Sequence, residues 1–303
     1  MVRIMIRKWR RELPLHIMIL PGLVFILIFS YVPMAGVVIA FQKFIPARGL
    51  FGEQTWIGLD NFRYVMDLPS FTKVFWNTLY IASMKLVLGL LIPIIFSILL
   101  NELRNELVKR SVQTAIYLPY FLSWVVLGGI LIDLLSPSGG IINGLLTSLG
   151  MEPIFFLGDN KWFPTTLITS DIWKNFGYGT IVYLAAITGI DPGLYEAATI
   201  DGANRWHKAW HITLPGMRMV IVLLSVLSLG QLLNAGFDQV FNLYSPQVYE
   251  SGDILDTFVY RIGLLDAQYG VATAVGLFKS VISFILIAGS YFFAYRFARY
   301  RIF

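Results

Sequence analysis

Apolar residues run along this chain in blocks of about twenty, with most polar residues gathered between them. Leu13 to Gln42 contains no Asp, Glu, Lys or Arg, Val74 to Leu100 holds one charge, Lys85, and Ser111 to Ile132 holds none. Leu167 to Ile190 carries Asp171 and Lys174 near its start. Met219 to Phe237 is uncharged and continues towards Asn242, and Val271 to Tyr295 is interrupted by Lys279. A helix needs roughly 20 mainly apolar residues to cross a bilayer, so each block predicts one spanning helix. The expected architecture is an all-α integral membrane protein with six transmembrane helices, at about 13–42, 74–100, 111–132, 167–190, 217–242 and 271–295. The segment 191–216 lies between the fourth and the fifth. No internal repeat or low-complexity stretch divides the chain, so residues 1–303 are read as a single transmembrane domain.

Composition agrees with the pattern. Of 303 residues, 57% are hydrophobic and 14% charged, where a soluble domain carries about 25% charged residues. Lipid is the natural solvent for such a chain. The absence of cysteine excludes disulfides, thiolate metal sites and cysteine nucleophiles, and three histidines leave little for metal chemistry. The first apolar block is too long for a signal peptide's core of about 7–15 residues, so it is read as an uncleaved first span. The net charge of +5 matters through its placement rather than as a nucleic-acid signal. With the N-terminus inside, the inside segments hold 14 Lys and Arg: Arg3, Arg7, Lys8, Arg10, Arg11, Arg104, Lys109, Arg110, Arg205, Lys208, Arg218, Arg296, Arg299 and Arg301. The outside segments hold 6, namely Lys43, Arg48, Arg63, Lys73, Lys161 and Arg261. Positive charge stays inside, so both termini and the 191–216 loop are expected in the cytoplasm. The outside loops, roughly 43–73, 136–166 and 246–269, are longer than connectors need.

The most informative stretch is Asp191 to Pro215. Asp191 suits an N-cap and Pro192 the first helical position. Gly202 suits a left-handed helix end, and Pro215 disfavours the α conformation at Leu214, marking the way into the fifth span. The stretch reads as two short helices joined by a turn, with Ala197, Ala198 and Ala203 leaving a bare surface that admits close approach by a partner. Glu196-Ala197-Ala198, then Gly202, then Ile212-Thr213-Leu214-Pro215, placed between spans four and five, resembles the EAA loop of binding-protein-dependent ABC transporter permeases.

Leu20-Pro21-Gly22, Trp76-Asn77-Thr78-Leu79, Tyr117-Leu118-Pro119, Ala235-Gly236-Phe237-Asp238-Gln239 and Gly276-Leu277-Phe278-Lys279-Ser280 resemble the maltose-permease-like sugar branch, within it the polysaccharide and oligosaccharide permeases. The resemblance implies a type I ABC importer permease fold in the bacterial cytoplasmic membrane. It implies one of two different permease subunits above two copies of a cytoplasmic ATPase, fed by an extracellular solute-binding protein. Glu196, Ala197, Ala198, Asp201, Gly202, Ala203, Leu214 and Pro215 would then couple to the ATPase. The chain contains no Gly-x-x-x-x-Gly-Lys-Ser/Thr loop, so no cofactor is expected on it, and ATP with Mg belongs to the partner.

Polar groups inside spans are functional candidates, because leaving them unpaired in lipid is costly. Asp171, Lys174, Asn175 and Tyr178 fall at helical spacing on one face of span four, with Trp173 beside them. Gln231, Asn234, Asp238 and Asn242 do the same in span five. The two faces are candidates for a cavity that takes a hydroxylated solute, or for hydrogen bonds between helices. Asp171 and Lys174 are also placed to neutralise one another. Lys85 and Lys279 are the other charges inside spans; Lys279 is placed to pair with Asp238 or another buried acid, the preferred reading, or to snorkel to an interface, and the role of Lys85 stays open. His207 and His211 at i,i+4 lack a third metal ligand, so Trp206 and Trp210 beside them are expected to pack this helix against the membrane domain. Gly270, Ala272, Ala274 and Gly276 form a small-residue surface for packing within the subunit or against a second permease. A secondary transporter would show inverted repeats, and a membrane enzyme a nucleophile–base or metal set; neither is found in the sequence. An ABC permease for a non-sugar solute stays open.

Overall fold

A computed structural model of the chain describes residues 2–50 and 52–297, with side chains described for 12–50 and 52–292. The side chains of Arg3, Arg7, Lys8, Arg10, Arg11, Arg296, Arg299 and Arg301 lie outside the described residues. The principal helices are α1 (Val2–Ile26), α2 (Asp60–Asp67), α3 (Pro69–Asn101), α4 (Glu106–Tyr117), α5 (Trp124–Leu135), α6 (Ile141–Ser148) and α7 (Phe163–Thr188). They continue with α8 (Pro192–Ile200), α9 (Arg205–Lys208), α10 (Arg218–Leu229), α11 (Phe237–Leu243), α12 (Leu255–Tyr260) and α13 (Tyr269–Phe297).

Among the described residues, Glu12–Phe41, Pro69–Asn101 and Tyr269–Phe292 are helical, long and apolar enough to cross a membrane. Two bent pairs pass the same test jointly, which gives up to five spans. The remaining expected span, α7, has the length, 26 residues, but its Thr, Ser, Asp171 and Lys174 dilute its apolar character.

Two expected spans are broken. Residues 111–132 do not form one helix: α4 runs into a 3-10 turn at Leu118–Phe121, Leu122 is extended, and the α4 and α5 segments meet at 106°. Pro119 withholds a backbone donor, and Ser123 starts α5 afresh by accepting from Val126 N at 3.3 Å. Residues 217–242 are likewise interrupted. Helix α10 stops at Leu229, residues 230–236 are irregular, and α11 begins after Gly236, which is left-handed at φ 93°. Leu214 departs from its expectation too. It is α-helical at φ −63°, ψ −47°. A π turn at Ala209–Thr213 widens the helix ahead of Pro215 and relieves the ring's crowding of the preceding turn. The bend of 59° falls instead between Arg205–Gly216 and Arg218–Leu229.

The chain divides into two compact units, residues 1–67 with 261–277, and residues 68–260 with 278–303. In the first, Gln42–Lys43 pairs antiparallel with Thr55–Trp56. The buried Asn61 donates from Nδ2 to the carbonyls of Ala40 at 2.9 Å and Gln42 at 3.1 Å, holding α2 to the end of the first span. Gly270 fits against this knot, since a Cβ there would lie 2.7 Å from Asn61 Nδ2. Ala272 and Ala274 are buried. At its Gly270–Ala272 end, the small-residue surface therefore packs within the subunit. In the second unit, α3 and α7 lie side by side. Ile81, Leu127, Leu167, Val240 and Ile254 form one apolar cluster, and Ile94, Tyr183, Ile187 and Met217 another.

Candidate functional site

Lys85, in the middle of α3, is buried against the broken fifth span. Its Nζ donates to Ala235 O at 2.6 Å and to Gln239 Oε1, and lies 3.7 Å from Asp171 Oδ1 on α7. Gln239 is fully buried and passes the network on, donating to Leu167 O at 2.7 Å and Ser170 Oγ at 2.8 Å. A backbone that leaves the helix in an apolar setting exposes carbonyls that must be satisfied, and Lys85 satisfies one of them. Beside it a cavity of about 400 Å³ opens, with Lys85, Asp171, Ser228, Gln231 and Asn234 as its polar lining and Leu86, Leu224 and Leu227 among its apolar wall. Amides, a hydroxyl and an ion pair on an apolar wall offer both donors and acceptors to a hydroxylated solute.

The nine expected path residues therefore separate. Asp171, Gln231 and Asn234 share the cavity. Lys174 forms no ion pair with Asp171 among the described residues; it is buried at the broken third span, where Nζ donates to the carbonyls of Leu122 at 2.5 Å, Tyr120 at 2.8 Å and Pro119 at 3.4 Å. It also lies 5.6 Å from the Tyr120 ring centre and 5.7 Å from that of Trp124. Tyr178 stacks on Tyr120 with centroids 4.7 Å apart, Trp173 is exposed, and Asn175 is half-buried. Asp238 and Asn242 sit on α11 beyond the break, so no helical face joins them to Gln231 and Asn234; Asn242 Nδ2 donates to Asp238 O at 2.7 Å. Lys279 pairs with Asp256 of α12 rather than with Asp238. Gln239, quoted only inside the Ala235–Gln239 resemblance, and Ser228 were not among the expected path residues. A lone amide and a serine in an apolar block carry no periodic signal, and only the break brings them to Lys85.

The stretch after α7 forms the expected hairpin. Asp191 Oδ1 accepts from Gly193 N at 2.9 Å and starts α8; Asn204 Oδ1 accepts from His207 N at 2.9 Å and starts α9. Gly202 closes α8 at φ 77°. Its N–H reaches Thr199 O at 3.1 Å, and Ala203 N–H reaches Ala198 O at 2.8 Å, the paired bonds of a left-handed helix end. Lys208 Nζ donates to Thr199 Oγ1 at 2.7 Å, and the Tyr195 hydroxyl meets Thr213 Oγ1 at 3.0 Å. Arg205 Nε lies 3.6 Å from Glu102 at the end of α3. Ala198, Asp201, Gly202 and Ala203 face His207, Lys208, His211 and Ile212 across a hollow of about 500 Å³. Glu196 and Ala197 are exposed, Ile200 is 88% exposed, Leu214 is half-buried and Pro215 exposed. The histidines are occupied locally, His207 Nδ1 with Asn204 Oδ1 at 2.9 Å and His211 Nδ1 with His207 O at 3.0 Å. Trp206 and Trp210 remain largely exposed, against the expected packing.

Long apolar helices, a polar cavity beside Lys85 and a capped helical hairpin are the features of a membrane transport component. The chain belongs to the family of binding-protein-dependent transport system inner membrane components, whose model matches residues 89–300. It is 43% identical over 273 residues to the polygalacturonan/rhamnogalacturonan transport system permease protein YteP of Bacillus subtilis (strain 168), covering 90% of this chain and 85% of that one. Protein LplB of the same organism is 42% identical over 288 residues, 95% and 90% of the two chains. A chain of a bacterial alginate ABC transporter, solved in complex with an alginate pentasaccharide-bound periplasmic protein, superposes with a TM-score of 0.90 at 36% identity, covering 98% and 99%. The resemblance to sugar-branch ABC permeases read from the sequence is borne out.

Proposed function

We propose that this chain is the non-catalytic permease subunit of an ATP-driven, binding-protein-dependent importer of oligosaccharides in the bacterial cytoplasmic membrane. It supplies half of the translocation path, a second homologous permease supplies the other half, and two copies of a cytoplasmic ATPase bind and hydrolyse ATP with Mg. An extracellular solute-binding protein delivers the sugar. All six apolar segments cross the bilayer, the third and fifth as broken helices and α7 as a span sheltered by its neighbours, with both termini and the α8–α9 hairpin inside. The observation that carries this reading is the hairpin itself. Glu196 to Ala203 is a largely exposed, internally hydrogen-bonded edge, and its Glu196 carboxylate forms no ion pair among the described residues, which suits a charge-assisted contact with a basic group of an ATPase. Force enters there and reaches α7 and α10, which flank the cavity of Lys85, Asp171, Gln231 and Asn234. The oligosaccharide class follows from the permease relatives named above.

Purification of the tagged chain in mild detergent is expected to bring down a second permease and an ATPase. The reconstituted assembly is expected to hydrolyse ATP faster when a sugar-loaded binding protein is added. Recovery of the chain alone, or hydrolysis indifferent to sugar across a panel of oligosaccharides, overturns the proposal.

A further inference from the structure

A groove of about 880 Å³ lies beside the α8–α9 hairpin, between α3 and the start of α10. One wall is the stripe Leu91, Ile95 and Leu99, at i, i+4 and i+8 on α3, so it runs about 12 Å along that helix. All three side chains are about half exposed. The opposite wall carries Trp206, Trp210 and Arg218. Arg218 follows Met217, whose buried side chain belongs to the cluster that holds Ile94 and Ile98 of α3, so the guanidinium lies on the groove beside the last turns of that helix. The lining contains no carboxylate, and among the described residues Arg218 forms no ion pair. The fit is therefore to an amphiphile with an apolar chain and a negative head.

We infer that this groove binds an anionic glycerophospholipid, with one acyl chain along Leu91, Ile95 and Leu99 and the phosphate against Arg218. Three properties converge on that occupant. An exposed apolar stripe on a membrane helix meets acyl chains as its solvent. Exposed tryptophans collect at the headgroup level, where the ring body is apolar and the indole N–H remains wet. An unpaired guanidinium at that level binds phosphate oxygens in a fork geometry. The volume lies in the range of small-molecule sites, about 300–1,000 Å³.

The test is native mass spectrometry of the full-length chain in detergent, both alone and as the complex that co-purifies with it, titrated separately with dioleoylphosphatidylglycerol and dioleoylphosphatidylcholine. Phosphatidylglycerol is expected to bind about fivefold more tightly, the preference one guanidinium provides at an anionic surface. Arg218→Gln is expected to abolish that preference and Arg218→Lys to retain it. Ile95→Trp, which fills the stripe, is expected to lower occupancy by both lipids. Equal binding of the two lipids to the wild-type chain overturns the inference, as does a preference that survives Arg218→Gln. If Ile95→Trp leaves lipid occupancy unchanged but dissociates a second permease or a second copy of this chain, the groove is a subunit interface and the lipid reading fails. The wild-type preference and Ile95→Trp decide the matter even where Arg218→Gln fails to insert.

Discussion

Lys85 Nζ lies 3.7 Å from Asp171 Oδ1, and this ion pair joins α3 to α7 at the point where the fifth span comes apart. The side chains are 9% and 21% exposed, so neither charge has enough water to stand alone. The lysine has more to do than balance the acid. It also holds Ala235 O and Gln239 Oε1, so the charge, the amide and the irregular backbone form one unit.

Removing the cation therefore strips three partners, whereas removing the acid's charge strips one. Lys85→Met is expected to destabilise the chain by about 3–5 kcal/mol, the range for breaking a buried pair from one side. Asp171→Asn is expected to cost less than half of that, because the lysine keeps its two acceptors. Thermal unfolding of the purified chain in one detergent gives the order, with Lys85→Met melting lowest. Equal melting temperatures for the two variants would show that the contact to Ala235 and Gln239 contributes nothing.

The cavity makes a prediction that separates residues the sequence alone grouped together. Gln231 and Asn234 line it, while Asp238 and Asn242 lie on α11 outside its lining. In cells taking up a labelled oligosaccharide, Gln231→Leu and Asn234→Leu are expected to reduce uptake roughly five- to a hundredfold, with normal membrane levels. A lost polar contact to a bound hydroxyl costs about 1–3 kcal/mol, and a factor of ten needs about 1.4. Asp238→Ala and Asn242→Ala are expected to transport within twofold of wild type. Uptake lost in the second pair and kept in the first would reverse the assignment.

What the sequence showed and what it hid divide along one line. Apolar length located α1, α3 and α13, because a helix in lipid is specified by composition over about twenty residues. Local capping chemistry located the first helix of the hairpin, from Asp191 to Gly202, because Asp, Pro and Gly act on the backbone within two or three residues, while the Asn204 cap of the second helix went unread. The breaks at Leu122 and at 230–236 were not legible, since their stability comes from lysines distant in sequence. Lys174 reaches carbonyls 52 to 55 residues away, and Lys85 reaches Ala235, 150 residues away. Helical periodicity assumed through such a break puts Asp238 and Asn242 on a face that does not exist. Lys279 met Asp256 for the same reason: the partner lies in a segment read as an outside loop, and nothing in its spacing points to the lysine.

Topology rests on the bias of 14 inside against 6 outside basic residues, and the chain's lack of cysteine makes it simple to test. A cysteine introduced for Asn204, exposed at the start of α9, is expected to resist an impermeant maleimide in intact cells and to react after permeabilisation. One introduced for Ser138, in the segment after α5, is expected to react in intact cells. Labelling of the Asn204 variant from outside would invert the six-span arrangement.

The sharpest prediction concerns Gly202. Its φ is 77°, and a Cβ built there meets nothing within 4 Å. A side chain is thus opposed by the backbone conformation alone, with no clash inside the subunit. Valine pays the full cost of the left-handed conformation, about 1–3 kcal/mol, whereas asparagine visits it readily. If the hairpin merely lies on the membrane, Gly202→Val and Gly202→Asn should both leave ATP hydrolysis by the assembled transporter unaltered. If the hairpin transmits force, the shape of its turn decides how Glu196 and the alanine edge meet the ATPase. Gly202→Val is then expected to reduce sugar-stimulated hydrolysis roughly five- to a hundredfold, the factor that about 1–3 kcal/mol implies, while Gly202→Asn stays within about threefold. Insertion, measured by the membrane level of each variant, is expected to be normal in both, because the strain sits in an exposed turn outside the spans. Stimulated ATPase activity equal to wild type in the valine variant would remove the hairpin from the coupling path.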